Sequence, residues 1–206
     1  MAYARDAGMV GLVFSALLVP KPTMADASDR CGMYPDVIYE SAYAAYSDCR
    51  LKKVGEQPLW HGVTSTGFRQ QIRFAFTEGH FAHTRVINFT ELANQTGVIK
   101  VYTIIATKEH KLKVIGRQRH EVSRRDIALL NTLGDQSGVW HFANGSWDDE
   151  EIYQHCQSLD MERINGEGYR FSSVQIGCNH PSKLMPFVDH LTKLAEIAPK
   201  YGGRLY

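Results

Sequence analysis

The residue types able to do chemistry in this chain are its cysteines, its histidines and the tryptophans beside them. Cys31, Cys49, Cys156 and Cys178 are the four cysteines of a 206-residue sequence. In an exported chain an even count favours two disulfides. Three connectivities exist, and the local one, Cys31 with Cys49 and Cys156 with Cys178, ties neighbouring elements. Each closed loop of roughly 20 residues would add about 3 kcal/mol in the chain-entropy view. Two cysteines also sit close to histidines, in His155-Cys156 and Cys178-Asn179-His180. A cysteine nucleophile needs a lowered pKa and a nearby base. Pairing Cys156 with Cys178 removes that chemistry, and the disulfide is the expectation.

His80 and His83 have the H-x-x-H spacing of a metal site. On a helix, residues three apart share a face; on the strand expected here they point to opposite faces. They are weak zinc candidates and would need help from His61, His110 or His141. No metal or other cofactor is expected. Trp60-His61 and Trp140-His141 are matched dipeptides, with Trp147 close to the second. Aromatic bodies with polar tips suit a carbohydrate or peptide groove, and they equally suit anchors at strand ends. These five residues are the ligand-binding candidates. No phosphate-binding glycine loop, G-x-S-x-G elbow or H-E-x-x-H is present, so no catalytic residue is assigned. Asn88, Asn94 and Asn144 head N-x-S/T triplets, which matter only in a eukaryotic secretory pathway.

The elements that must position these residues follow from periodicity. Tyr34-Pro35-Asp36 opens a helix marked by Tyr39, Tyr43 and Tyr46. From Phe68 to Thr77 large apolar residues alternate with Arg and Gln, the period of a half-buried strand. Phe81–Leu92, Val98–Thr107 and Leu112–His120 complete a four-stranded antiparallel meander with one wet face. Ser123 to Asp126 reads as a capping box, before a short helix that Gly134 can stop. Ser146 could cap a second short helix. Leu159–Ile164 and Tyr169–Gly177 form a hairpin across Asn165-Gly166. Leu184, Phe187, Val188, Leu191 and Leu194 mark an amphipathic helix from about Pro181 to Ala198. The fold class is α+β: an antiparallel sheet of about six strands, meander plus late hairpin, packed by N-terminal, short central and C-terminal helices.

Residues 1–27 read as a secretory signal peptide, and residues 28–206 as a single globular domain. Arg5 supplies the basic start, and Ala7 to Val19 is an uncharged apolar run too short to span a bilayer stably. Pro20 and Pro22 break it ahead of the small-residue sites Thr23-Met24-Ala25 and Ala25-Asp26-Ala27. Export to a bacterial periplasm or the extracellular space is the expected localisation, without stable membrane insertion after cleavage. Cleavage after Ala25 removes Arg5, Asp6 and Lys21, which turns the formal charge of +1 into zero. A neutral domain gives no electrostatic argument for nucleic acid. The charge is nevertheless segregated, basic over residues 100–125 and acidic over 148–167, which suits either two solvated faces or a docking patch.

The succession FRQQIRFAF, IKVYTII, SRRDIALLNTLGDQSGVWHF, YRFSSVQIGC and LMPFVDHLTKLA resembles small uncharacterised exported bacterial proteins over roughly residues 67–195. The shared features are Gly138-Val139-Trp140 and the element order; a Gly-Leu-Asp-Gly turn before the hairpin is absent here. The resemblance implies an exported α+β domain and carries no active site. The function expected is that of a disulfide-stabilised binding or interaction domain for an unknown protein or small-molecule ligand, using the exposed face of its sheet. The alternatives are a small secreted hydrolase, with a histidine metal site or cysteine nucleophile, and an inhibitor or immunity-type partner protein.

Overall fold

The structure, a computed structural model, describes residues 30–40, 44–62, 67–78, 83–109, 111–141, 157–176 and 182–195. Among them are six strands in one antiparallel sheet, ordered β4-β3-β2-β1-β5-β6. The strands are β1 (Phe68–Thr77), β2 (His83–Leu92), β3 (Gly97–Ala106), β4 (Leu112–Val122), β5 (Ser158–Asn165) and β6 (Gly168–Gln175). The helices are α1 (Ala44–Lys53), α2 (Arg124–Ser137) and α3 (Met185–Leu194), with 3-10 turns at Asp36–Glu40, Leu59–His61 and Val139–His141. The α+β class and the meander-plus-hairpin order are as the sequence predicts. The hairpin does not extend the meander past β4. It returns to the free side of β1, so that Arg73 faces Asn88 on β2 and Glu162 on β5.

The strand period sorts residues to two faces. The first holds Ile72, Phe74, Phe76, Ile87, Phe89, Ile99 and Met161, which pack under Ile127 and Leu130 of α2 and under Phe187, Val188 and Leu191 of α3. The second was expected to be wet, and it is covered. Met33, Tyr34, Ile38, Leu51 and Val54 of the N-terminal segment pack on Ala75, Val86, Ile104 and Phe171. Polar residues on this face read as solvent-facing by alternation alone, yet Arg73, Asn88, Asp160 and Glu162 are all buried. They are tolerated because most of their polar atoms are partnered with one another and with the cover, Arg73 Nη2 being without a hydrogen-bond partner among the described residues.

The cover is stapled. Cys31 and Cys49 form a disulfide across 18 residues of separation, and the Asp48 carboxylate accepts from the backbone N–H groups of Cys31 (2.5 Å) and Met33 (2.8 Å). Cys156 and Cys178 lie outside the described residues.

Local signals held in α2 with one correction. Ser123 Oγ accepts from Asp126 N at 3.2 Å, the N-cap half of the expected capping box, and donates to the Asp126 carboxylate at 2.6 Å. The helix runs through Gly134 and ends at Gly138, whose φ of 70° is left-handed. Gly134 serves packing instead: a Cβ there would sit 3.1 Å from Trp140 Nε1 and 3.2 Å from Phe187 Cε2. The helix expected from Pro181 to Ala198 is described over Met185–Leu194. The helix expected after Ser146 falls on residues outside the described set.

Candidate functional site

Opposite faces of the sheet carry two different polar constructions. On the second face, the guanidinium of Arg73 is fully buried and donates from Nε to Glu162 at 2.6 Å and from Nη1 to the Gln57 carbonyl at 2.9 Å. Glu56 lies 3.7 Å from Nη1, and Asn88 donates to its carboxylate. Tyr169 donates to the other oxygen of Glu162 at 2.9 Å. Burial pushes the Glu162 carboxyl up, while Arg73 and Tyr169 pull it back. Two residues earlier, Asp160 accepts from Ser47 of α1 at 2.5 Å and from Ser173 of β6 at 2.7 Å. Burial raises its pKa from 3.8 to about 7, against those two hydrogen bonds. This layer is sealed under the cover.

Beside it opens a cleft of about 310 Å³ between residues 55–59 and strands β1 to β3, lined by Glu56, Gln71, Asn88, Lys100, Tyr102 and Ile164. Its polar groups are largely committed to one another. Asn88 takes a hydrogen bond from Gln71 at 3.0 Å while giving one to Glu56.

The first face holds a second, larger cleft of about 390 Å³, where the ends of β1, β2 and β5 meet α2. It exists because three residues at core-facing positions are polar. Gln70 continues the run Ile72, Phe74, Phe76; Glu91 continues Ile87, Phe89; Arg163 continues Leu159, Met161. The amide of Gln70 donates to Glu91 at 2.7 Å and to Asn131 of α2 at 2.6 Å, and Arg69 pairs with Glu91 at 3.5 Å. Arg163 is mounted differently. Its guanidinium lies over the Trp140 ring, 4.9 Å from the centroid, and that ring is held edge-on against Phe187 at 5.8 Å. Nη2 reaches Glu167 at 3.1 Å, a carboxylate that is 71% exposed. Nε is buried and has no hydrogen-bond partner among the described residues. Burial pulls the Arg163 guanidinium down in pKa, against the pull of Glu167 and Asp135. The result is a cation laid on an aromatic ring at the wall of a cavity, with its Nε shut away from solvent.

The sequence-derived candidates separate accordingly. Trp140 lines the larger cleft, but as the buried support of Arg163 rather than as an open platform. Trp60 is 37% exposed and stacks edge-on with His61 at 4.0 Å, in the turn whose Leu59 lines the smaller cleft. The two tryptophan–histidine pairs therefore do not converge on one groove. Of His141 only the backbone is described, and Trp147, His80 and His110 lie outside the described residues. His83 meets Glu78 at 2.7 Å at the exposed end of β2. Among the described residues, the one group with metal-ligand spacing is Cys31, Asp48 and Cys49, and its two sulfurs are joined to each other. Asn88 is buried, whereas Asn94 is exposed in the β2–β3 turn. Sequence reasoning missed Gln70, Glu91 and Arg163, although polar residues at the core-facing phase of three strands were a usable signal.

Among the described residues, no helix is long and apolar enough to cross a membrane. The chain matches no protein-family model and no curated protein.

Proposed function

We propose that this chain is an exported, disulfide-stabilised binding domain whose ligand enters the cleft between α2 and the ends of β1 and β5. The apolar run from Ala7 to Val19 followed by small-residue cleavage sites supports export, and the Cys31–Cys49 bridge fits an oxidising compartment. The observation that carries the site is Arg163: a side chain laid on an aromatic ring, lining a cavity, and tied through Nη2 to the exposed carboxylate of Glu167. A cation so weakly committed in a largely pre-formed pocket is a place for a ligand acceptor. Thermal-shift screening of the purified chain against a library of small polar molecules tests this. Hits should stabilise the parent and lose their effect in Arg163→Ala, while Trp60→Ala keeps them. Hits insensitive to Arg163 would move the site elsewhere. Export is tested separately, by fractionating cells that express the full chain and sequencing the N-terminus of the exported product.

One observation favours an inhibitor-type reading as the second choice. Lys100 and Arg119 stand directly opposite each other on β3 and β4, both exposed, with Arg117 next along the edge strand. Like charges in that position repel, and an acidic partner protein would relieve the repulsion. Co-purification of one acidic protein, lost in Lys100→Glu/Arg119→Glu, would replace the small-molecule reading.

A further inference from the structure

A polar row on the second face changes character halfway across the sheet. Strand pairing sets Glu162, Arg73, Asn88, Lys100 and Arg119 opposite one another in turn, from β5 through β1, β2 and β3 to β4. The first three are buried and partnered beneath the cover. Lys100 and Arg119 are exposed, and neither forms an ion pair among the described residues. Arg117, two residues along β4 on the same face, lies over the Tyr102 ring, 5.8 Å from its centroid. Cations on an edge strand guard it against pairing with another chain, which accounts for Arg117 and Arg119. It does not account for Lys100, which stands on an interior strand directly opposite Arg119, where like charges repel.

Lys100 and Tyr102 also form the β3 side of the smaller cleft, of about 310 Å³. The acid in that cleft is already spent. The Glu56 side chain is only 9% exposed, lies 3.7 Å from Arg73 Nη1 and accepts from Asn88. Glu121, exposed on the same face of β4 opposite Val98, is outnumbered by the three cations. A compact dianion placed between Lys100 and Arg119 takes a charge-assisted hydrogen bond from each and relieves their repulsion. The rest of the wall describes what the anion is attached to. Leu59 and Ile164 are apolar, and between them the half-buried Gln71 gives one N–H to Asn88 and keeps its amide oxygen for a hydroxyl donor. We propose that the smaller cleft is a second binding site, for the phosphate monoester of a small hydroxylated molecule such as a sugar, with the phosphate on Lys100 and Arg119 and the hydroxylated body against Gln71. The site is separate from the α2 cleft, and it gives the charged row of the second reading a small anion in place of an acidic protein.

Calorimetric titration of the full chain at low salt, where exposed charges are least screened, reads the assignment. The probes are glucose, its phosphate and sulfate monoesters at the primary hydroxyl, and inorganic phosphate. The phosphate ester should bind tightest, the sulfate ester and inorganic phosphate more weakly, and glucose least. Lys100→Gln and Arg119→Gln should each weaken the phosphate ester about tenfold, the worth of one charge-assisted hydrogen bond. Lys113→Gln removes the same charge from β4 but opposite Ile105, on the other face, and should change binding by less than about twofold. Arg163→Ala should leave it unchanged, which keeps this site distinct from the α2 cleft. Equal weakening by Lys113→Gln would show diffuse attraction to net charge and overturns the site. Inorganic phosphate or the sulfate ester binding as tightly as the phosphate ester overturns the ligand class. If neither ester binds in a way that depends on Lys100, the proposal falls, while the α2-cleft ligand, read through Arg163, and the acidic partner, read by co-purification, are decided by their own tests.

Discussion

Arg73 and Arg163 occupy opposite faces of the same sheet, on strands that pair with each other, and they are held in opposite ways. Arg73 is enclosed by two carboxylates and a carbonyl, beneath a cover stapled by a disulfide. Arg163 leans on a tryptophan and is tied to one exposed carboxylate at a cavity wall. The first arrangement fixes the fold and leaves little for a ligand. The second contributes little to the fold and keeps binding capacity in reserve.

Removing one member of each pair separates the two roles most sharply. Arg73→Met strands Glu162 in a buried site and should cost about 3–5 kcal/mol in denaturant unfolding, the usual penalty for half a buried ion pair. Arg163→Met loses an exposed salt bridge and a cation–π contact, and should cost only about 1 kcal/mol. Comparable losses at both positions would erase the distinction. The staple comes next in size. Replacing Cys31 and Cys49 by serine should lower stability by about 3 kcal/mol and should leave binding at the α2 cleft intact, because the bridge holds the cover on the other face.

The sealed face also carries a marked proton linkage. Asp160 faces Ser47 and, through it, Tyr34 on the cover, Ser173 on β6, and Glu162 and Arg73 along the sheet. Its carboxyl ionises near 3.8 when unfolded and at about 7 when folded. Between those values the folded chain keeps a proton that the unfolded chain has lost, so stability falls as pH rises through the window and then levels off. Asp160→Asn keeps one accepted hydrogen bond and turns the other into a donation to a serine hydroxyl, without the ionisation. It should flatten the decline in melting temperature between about pH 4 and pH 7; an unchanged profile would mean that another group carries it.

The strands and their phase were readable because alternation in Phe68–Thr77 and β-branching in Val98–Ala106 are local signals. The capping of α2 was readable for the same reason. Which face would be covered was not. Arg73, Asp160 and Glu162 look like solvent-facing residues until Tyr34, Ser47 and Glu56, distant in sequence, arrive to partner them. The cleft hid in the same way. Arg163 breaks the apolar phase of β5 visibly, but Trp140, Asn131 and Gly134 come from another segment, and only the turn of β5 back beside β1 brings them together. The tryptophans drew attention to chemistry by type, whereas the site depends on what Trp140 supports.

Glu167 provides the smallest and most discriminating test of the contrast. It matches Glu162 in its bond to an arginine on β1 or β5, yet it is 71% exposed where Glu162 is 2% exposed at the side chain. Glu167→Gln should change stability by no more than about 0.5 kcal/mol, within the range of exposed i,i+4 pairs, where Glu162→Gln should cost several times more. On the binding side, freeing Nη2 from its internal competitor should tighten any ligand acceptor that docks on Arg163. A Glu167→Gln variant that weakens such a ligand would show Glu167 to be part of the wall rather than a placeholder, and the open face would then be as fixed as the sealed one.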